Sequence, residues 1–167
     1  MWFWILIGFL IVQRLTELVI AKRNEIYIKS LGGVEAGGEH YTWMVLLHTS
    51  WFVSMIAEHL YFARGLNEFW LLWFGLFLVA QAGRFHVITT LGKFWNTRIL
   101  IVPGSARVRT GLYKYLKHPN YLIVRTEILV VPLMFGLYFT AGIFSVLNLW
   151  MLRVRVREEE LALQKLT

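Results

Sequence analysis

Apolar residues occur along this chain in long runs, without the alternation of a strand or the polar face of a soluble helix. Three runs lie at about positions 2–20, 40–63 and 68–91. Each has roughly the 20 residues that about 30 Å of hydrocarbon requires at 1.5 Å per residue. The first run has no basic segment before it and no small-residue cleavage site after it, so we expect a retained span and not a signal peptide. The pattern predicts three transmembrane helices here.

The last apolar stretch, at about 120–152, is too long for one ordinary span and short for two. Pro132 lacks a backbone donor and Gly136 relaxes the chain, so we expect a break between them. Lys and Arg accumulate in the cytoplasmic loops of membrane proteins. Their distribution therefore tests whether this stretch forms one span or two. If this stretch forms a hairpin, the first loop, the third loop and the tail lie on one side of the membrane and carry thirteen cations. The opposite side then carries only Arg64. The hairpin is therefore favoured, with the amino terminus outside and the carboxyl terminus cytoplasmic.

The predicted fold is thus all-α: a polytopic membrane helix bundle with five transmembrane segments, the last two forming a helical hairpin. We expect a single integral membrane domain over residues 1–167. The longest segment outside the spans runs from Gly92 to Pro119. Apolar and polar residues alternate weakly around Arg98 to Val108, which predicts an extended or interfacial stretch.

Composition agrees with this class. Hydrophobic residues make up 57% and charged residues 16% of the chain, against about 25% charged in soluble domains. The net charge of +7 comes from cations that flank the spans, so anionic lipid headgroups are a better match than nucleic acid. There is no cysteine, which excludes a disulfide, a thiolate metal site and a cysteine nucleophile.

Several charged residues nevertheless lie within the spans. Arg14 and Glu17 are three positions apart, so they share a helical face, where they can pair and face the bundle. Both a structural ion pair and a substrate contact are open for them. The same question applies to other polar residues in the helices, namely His48, Glu58, Gln81, Arg84, His86, Arg125 and Glu127. No pair has the tight helical spacing of a metal site, and no serine-nucleophile or phosphate-binding motif is present, so we predict no metal.

Two motifs flank the predicted hairpin. Each alone is ordinary: His118-Pro119 is a plausible helix start, and Arg155 and Glu159 share one face of what is typically a solvated helix end. Before the hairpin stand Gly111, Tyr113, Tyr115, His118, Pro119 and Tyr121, and after it stand Arg155, Glu159, Glu160 and Leu163.

Together these motifs resemble the isoprenylcysteine carboxyl methyltransferase family of integral membrane enzymes, over roughly 95–163. That pattern runs Gly-x-Tyr-x-Tyr-x-Arg-His-Pro-x-Tyr, hairpin, Arg-x-x-x-Glu-Glu-x-x-Leu. Two positions depart from it: Lys117 replaces the family's arginine, which loses the planar fork, and Ile123 replaces a frequent glycine at a close helix contact. The amino-terminal half is similar to a small bacterial branch, some members of which O-methylate alkylpyrones.

The resemblance implies S-adenosylmethionine as cofactor, bound in the part at about 93–167. Its carboxylate, ammonium, sulfonium, ribose and adenine call for basic, acidic and aromatic groups together. The implied cofactor-binding residues are Tyr113, His118, Pro119, Tyr121, Arg155, Glu159 and Glu160, and the implied catalytic residues are Arg125 and His118. Localisation to the bacterial cell membrane, with the cofactor site cytoplasmic, is also implied.

The leading functional hypothesis is an O-methyltransferase acting at the membrane on a lipophilic carboxylate or enol, isoprenylcysteine-like or alkylpyrone-like. Such a small molecule, entering laterally between helices, and the membrane lipids are the expected partners. Phospholipid N-methylation is an alternative within the enzyme class. A non-catalytic lipid-binding protein is an alternative from a different class, and a proton or ion carrier dependent on Glu17 or Glu58 is a third.

Overall fold

The computed structural model describes residues 1–166, which contain five α-helices. Their bounds are Trp2–Ser30 (α1), Gly38–Phe62 (α2), Trp70–Leu91 (α3), Pro119–Met134 (α4) and Tyr138–Leu166 (α5). The all-α prediction is confirmed. Within the described residues, α1, α3 and α5 are long and apolar enough to cross a membrane. The count of five transmembrane segments stays a prediction, because α2 and α4 do not meet that standard.

The predicted helical hairpin is present. Helix α4 ends at Met134 and α5 begins at Tyr138, so the break falls beside the predicted Pro132 and Gly136. Gly136 has φ +64°, a left-handed conformation that glycine adopts without a steric cost. The amide of Leu137 closes the turn by donating to the carbonyl of Pro132 at 3.0 Å.

Glu58, near the end of α2, caps the start of α5. Its carboxylate accepts hydrogen bonds from the backbone amides of Phe139 (3.2 Å) and Thr140 (2.8 Å) and from the Thr140 hydroxyl (2.7 Å). A helix amino terminus has unpaired N–H groups and a positive dipole end, so a carboxylate is stabilising there. This contact fastens α2 to the turn of the hairpin.

Two short strands lie at the other end of the bundle. Val34–Ala36 (β1), in the loop after α1, pairs antiparallel with Ile99–Ile101 (β2), in the loop after α3. An ion pair of 2.5 Å between Glu35 and Arg98 joins them. The extended stretch predicted around 98–108 corresponds to β2, but the partner strand in the first loop was not anticipated. The pairing places the first and third loops at one end, as the hairpin topology requires.

Close packing joins α3 to α4. A Cβ on Gly83 of α3 would lie 3.3 Å from Cδ1 of Ile123 on α4, so the absent side chain of Gly83 leaves the room that Ile123 fills. In the family pattern, a glycine often stands at the position of Ile123, where two helices are in close contact. In the structure the small residue is on the facing helix instead.

The loop after α3 is held against α1 by two asparagines. Asn24 donates to the carbonyls of Gly92 (3.1 Å) and Trp95 (2.6 Å), and Asn96 donates to the carbonyl of Ala21 (2.8 Å). Buried backbone carbonyls of a loop need such partners. The loop is thereby fixed as one wall of the site described next.

Candidate functional site

A cavity of about 330 Å³ lies among the five helices and the loop after α3. This volume is within the range of small-molecule sites, roughly 300–1,000 Å³. One end is polar and includes His118 and Glu159, and the middle carries apolar side chains such as Val124 and Leu152. Both flanks of the hairpin therefore contribute to a single cavity.

His118 is the central residue of the polar end. It is the N-cap of α4, with Pro119 at the first helical position, which confirms the predicted helix start. Its Nε2 lies 2.8 Å from Oε1 of Glu160, and its Nδ1 lies 3.3 Å from Oε2 of Glu159. The carboxylate of Glu159, with a smaller effect of Glu160, raises the pKa of His118 against the opposing effect of burial. The imidazole thus lies between both carboxylates, which favour its charged form.

Two tyrosines surround this bridge. Tyr121 donates its hydroxyl to Glu159 at 2.7 Å, and its ring stacks on His118 with centroids 5.4 Å apart. Tyr113 also lines the cavity. Burial, and then the charge of Glu159, raise the pKa of Tyr113, so its phenol stays protonated and able to donate a hydrogen bond.

Two arginines contact the residues around His118, and of the two only Arg155 lines the cavity. Arg155 donates to the carbonyl of Thr97 at 2.9 Å, and its guanidinium lies 5.9 Å from the ring centroid of Tyr121. Arg107 donates to Glu160 at 3.2 Å and to the carbonyl of Lys117 at 3.1 Å. Arg107 was not identified from the sequence, because nothing in its local pattern places it against α5.

Four polar atoms in the cavity wall are buried and have no hydrogen-bond partner among the described residues. Three are N–H groups and one is an oxygen: Trp95 Nε1, Asn148 Nδ2, Arg155 Nε and Asn120 Oδ1. Buried polar groups in folded proteins are normally paired, since leaving one unpaired costs about 1–3 kcal/mol. All four belong to residues that line one cavity, so unpaired polar groups are concentrated in its wall.

A charged network forms another part of the wall. Arg14 pairs with Glu17 at 2.7 Å, as predicted, and with Glu127 at 2.7 Å. Arg84 donates to Glu17 at 3.2 Å and, through Nε, to Glu127 at 3.0 Å. The two cations and two anions balance, and the network joins α1, α3 and α4. Arg14, Glu17 and Arg84 also line the cavity.

Three residues singled out in the sequence lie elsewhere. Arg125 is exposed on α4 and is not among the residues that line the cavity. His86 is exposed on α3, where it lies against Gly111. Glu58 is at the opposite end of the bundle, in its capping position. The structure therefore brings the predicted cofactor-binding residues together around His118, and Arg125 stands apart from them.

The cavity has a lateral side between α1 and α2. Leu18 of α1 and Val45 of α2 both line it and are 45% and 43% exposed. At the far end the two helices touch, with the rings of Phe3 and His59 stacked at 3.9 Å. Apolar residues that are both cavity-lining and exposed form an opening suited to a lipid environment.

Fold and site together define a helical membrane protein with a polar, hairpin-built cavity. The sequence model of the Isoprenylcysteine carboxyl methyltransferase (ICMT) family matches residues 73–165, which is more than half of the chain. The chain therefore belongs to the isoprenylcysteine carboxyl methyltransferase family. Its members are membrane-associated methyltransferases that generally use S-adenosylmethionine.

The chain is also similar to two bacterial proteins over nearly its whole length. It is 42% identical to the uncharacterized protein YpbQ of Bacillus subtilis, over 98% of this chain and 97% of that protein. It is 27% identical to an uncharacterized protein of Haemophilus influenzae, over 92% and 90%. No solved structure matches the chain.

Proposed function

We propose that this protein is an S-adenosylmethionine-dependent O-methyltransferase that acts at the membrane on a lipophilic acceptor with an ionised carboxylate or enol. The observation that carries the proposal is the cavity itself. It joins a polar end, built from His118, Tyr121, Arg155 and Glu159, to an apolar side that opens between α1 and α2. A methyl transfer from a polar donor to a lipid needs both kinds of surface.

The residues present fit the cofactor. The free N–H groups of Arg155 and Trp95 suit its carboxylate and its heterocycle, and the free oxygen of Asn120 suits an amino group. Glu159 suits the ribose hydroxyls or the ammonium, and Tyr121 and Tyr113 offer aromatic faces to a sulfonium. When bound, S-adenosylmethionine supplies a methyl group on a cationic sulfur. Its transfer forms an O–C bond as the C–S bond breaks, leaving a neutral thioether and a neutral ester or enol ether.

The chain's own contribution is alignment and exclusion of water. An in-line displacement in which opposite charges are neutralised needs a fixed geometry and a dry site more than a proton donor. The His118–Glu159–Tyr121 contacts fix the side chains of the polar end. Apolar side chains such as Val124 and Leu152 exclude water from the remainder of the wall.

The ionisable groups of the wall favour an oxygen acceptor. A protonated amine must lose a proton to react, which calls for a general base. The two carboxylates that line the cavity are both engaged: Glu17 accepts from Arg14 and Arg84, and Glu159 accepts from Tyr121. A carboxylate or enolate acceptor arrives without the proton and needs no such base.

His48 is the observation that keeps lipid N-methylation as a second candidate. Its Nδ1 lies 2.8 Å from the carbonyl of Met44, so Nδ1 carries the proton and Nε2 is left as an acceptor in the cavity wall. With an amine acceptor, His48→Ala would abolish the acidic limb of the rate profile, in which the rate rises with pH as the general base loses its proton. With an oxygen acceptor, the variant would retain its rate.

Binding and transfer test the proposal separately. In calorimetry on detergent-purified protein, the wild type should bind S-adenosylmethionine. Glu159→Ala and His118→Ala should each weaken binding about tenfold or more, as expected for hydrogen bonds to charged groups. Glu158→Ala is the matched control, because this neighbouring carboxylate on α5 does not line the cavity, and it should bind as the wild type does.

Methyl transfer is then followed by mass spectrometry of bacterial lipid extracts incubated with the protein and labelled methyl donor. A labelled ester or enol ether supports O-methylation. A protein that binds no S-adenosylmethionine, or one whose Glu159 and His118 variants bind like the wild type, would contradict the proposed function. In that case a lipid-binding protein without catalysis becomes the better account.

A further inference from the structure

The charged network in the cavity wall has one member that is partly open. The side chain of Arg14 is 25% exposed, whereas those of Glu17, Arg84 and Glu127 are 6%, 4% and 2% exposed. From the sequence, both a structural ion pair and a substrate contact are open for Arg14. In the structure, the two carboxylates are turned into the protein, and the accessible charge of the network is a guanidinium.

The exposed part of Arg14 faces the cavity and not the lipid. Arg14 itself lines the cavity. On α1, Leu10 lies four positions before it, Glu17 three positions after it and Ala21 seven positions after it, and all three are buried. Residues at this spacing share one face of a helix. Arg14 is therefore on the face of α1 that packs into the bundle, and its free surface is directed inward.

His48 on α2 shows where in the cavity this charge acts. The charge of Arg14 acts on His48 more strongly than the charges of Arg84 on α3 and Arg155 on α5 do. All four residues line the cavity. Guanidinium groups from three helices thus act on one region of the wall, and a cleft with such a field attracts anions. Because Arg155 belongs to the polar end, a group held at Arg14 is also near the proposed cofactor.

Arg14 retains hydrogen-bond donors for a further partner. Of the five N–H groups of a guanidinium, Arg14 gives one from Nη1 to Glu17 and one from Nη2 to Glu127. Arg84 instead bonds these two carboxylates through Nε and both Nη atoms. A guanidinium has no acceptor and stays charged, so the open side of Arg14 favours an anion and opposes an ammonium group.

Resting on the proposed function, we propose that Arg14 binds the anionic group of the acceptor and makes the site selective for an anionic acceptor. The lateral opening lies next to it, because Leu18, one turn further along α1, lines the cavity and is 45% exposed. An alkyl chain in this opening leaves its head group at Arg14. One oxygen of a carboxylate can then bind Arg14 while the other faces the methyl donor.

Two charge-balanced double variants test this assignment by binding, without turnover. Arg14→Met with Glu17→Gln leaves the pair of Arg84 and Glu127, whereas Arg84→Met with Glu17→Gln leaves the pair of Arg14 and Glu127. The probes are an N-acyl S-prenylcysteine and a long-chain 4-hydroxy-2-pyrone, titrated into detergent-purified protein. Each is compared with a neutral analogue in which an NH₂ group replaces the acidic OH group.

The wild type should bind the favoured acid about tenfold or more tightly than its neutral analogue, as expected for hydrogen bonds to charged groups. The double variant without Arg14 should lose this preference, and the double variant without Arg84 should retain it. In both, the affinity for S-adenosylmethionine should stay within about twofold of the wild type, which also shows that both are folded.

Lysine variants apply if the double variants do not fold, because Arg14→Lys and Arg84→Lys keep the charges of the network balanced. The single ammonium of Arg14→Lys has to serve both Glu17 and Glu127 and lacks the planar fork. This variant should therefore bind the acid severalfold more weakly. Arg84→Lys, at a side chain that is 4% exposed, should bind the acid as the wild type does.

Three results would overturn the inference. The first is an unchanged affinity for the acid in the variants of Arg14. The second is an equal loss in the variants of Arg14 and of Arg84, which would mean that Arg14 acts only through the integrity of the network. The third is a wild type that binds neither anion more tightly than its neutral analogue. These failures differ from that of the proposed function, which is decided by S-adenosylmethionine binding to the wild type and its Glu159 variant.

Discussion

The imidazole of His118 lies 2.8 Å from the carboxylate of Glu160, although 42 positions separate them in the chain. His118 precedes the first residue of α4, and Glu160 is near the end of α5. Their contact closes the helical hairpin at the end opposite its turn. Two sequence motifs that are weak when taken separately therefore form one site.

The first prediction concerns pH. Because the pKa of His118 is raised in the folded protein, its stabilising contribution is complete below its ordinary pKa of about 6.5 and is lost as pH rises through the folded value. His118→Gln should lower the free energy of unfolding by about 1 kcal/mol at low pH and flatten this dependence. Thermal melting in detergent between about pH 5.5 and 9 measures this pH dependence of stability.

His86→Gln is the control for that experiment, since His86 is exposed and outside the cavity. The downward trend in stability with rising pH should persist in this variant. An unchanged trend in His118→Gln would show that the bridge between Glu159 and Glu160 does not hold the proton.

The second prediction concerns Gly111. Its φ is +56°, and a Cβ there would overlap Nε2 of His86 and lie 3.0 Å from Oγ1 of Thr90. Gly111→Ala should lower the free energy of unfolding by about 1–2 kcal/mol because of the backbone conformation, while the exposed His86 side chain can move away from the added Cβ. Gly75→Ala, at an open helical position, should be neutral or slightly stabilising. Equal melting temperatures for the two alanine variants would contradict this account.

Much of the architecture could be predicted from the sequence because it depends on local signals. Long apolar runs predict helices, and Pro132 and Gly136 predict the turn of the hairpin. The distribution of cations among the loops predicts that His118 and Glu159 lie at the same end of the bundle. Each of these signals lies within a few residues or is a sum over whole loops. None of them requires knowledge of a tertiary contact.

The features that could not be predicted from the sequence depend on contacts between segments distant in the chain. The strand Val34–Ala36 is too short to show a pattern and forms only because β2 offers it a partner. Trp95 reaches the cavity, and Arg107 reaches Glu160, through the path of a loop for which the sequence has no signal. Asn148 was detectable in principle as a polar residue within an apolar helix, but its place in the cavity wall could be known only from the structure.

The third prediction concerns the network of Arg14, Glu17, Arg84 and Glu127. Removing one member leaves an unbalanced charge in a buried site, and for buried pairs this costs about 3–5 kcal/mol. Glu127→Leu should therefore lower the melting temperature sharply, while Glu127→Leu combined with Arg84→Met should recover part of the loss. The measurement is thermal unfolding of each variant in the same detergent.

Arg125→Leu provides the comparison for Glu127→Leu, because Arg125 lies on the same helix but is exposed. It should alter stability by less than about 0.5 kcal/mol. Its methyl-transfer rate tests the predicted catalytic role separately, since that role requires the rate to fall while stability stays constant. A large loss of stability in Arg125→Leu, or none in Glu127→Leu, would contradict the proposed balance of charges.

The last prediction compares two carboxylates, one at each end of the bundle. Glu58 accepts two backbone N–H groups and a hydroxyl at the start of α5, far from the cavity that Glu159 lines. Glu58→Ala should lower the free energy of unfolding by about 1–3 kcal/mol, as for loss of a buried partner, and leave S-adenosylmethionine affinity unchanged in the folded protein. Glu159→Ala should do the reverse, losing affinity with a smaller change in stability. If Glu58→Ala instead retained its stability and abolished proton movement in proteoliposomes, the carboxylate would serve a carrier and not a helix cap.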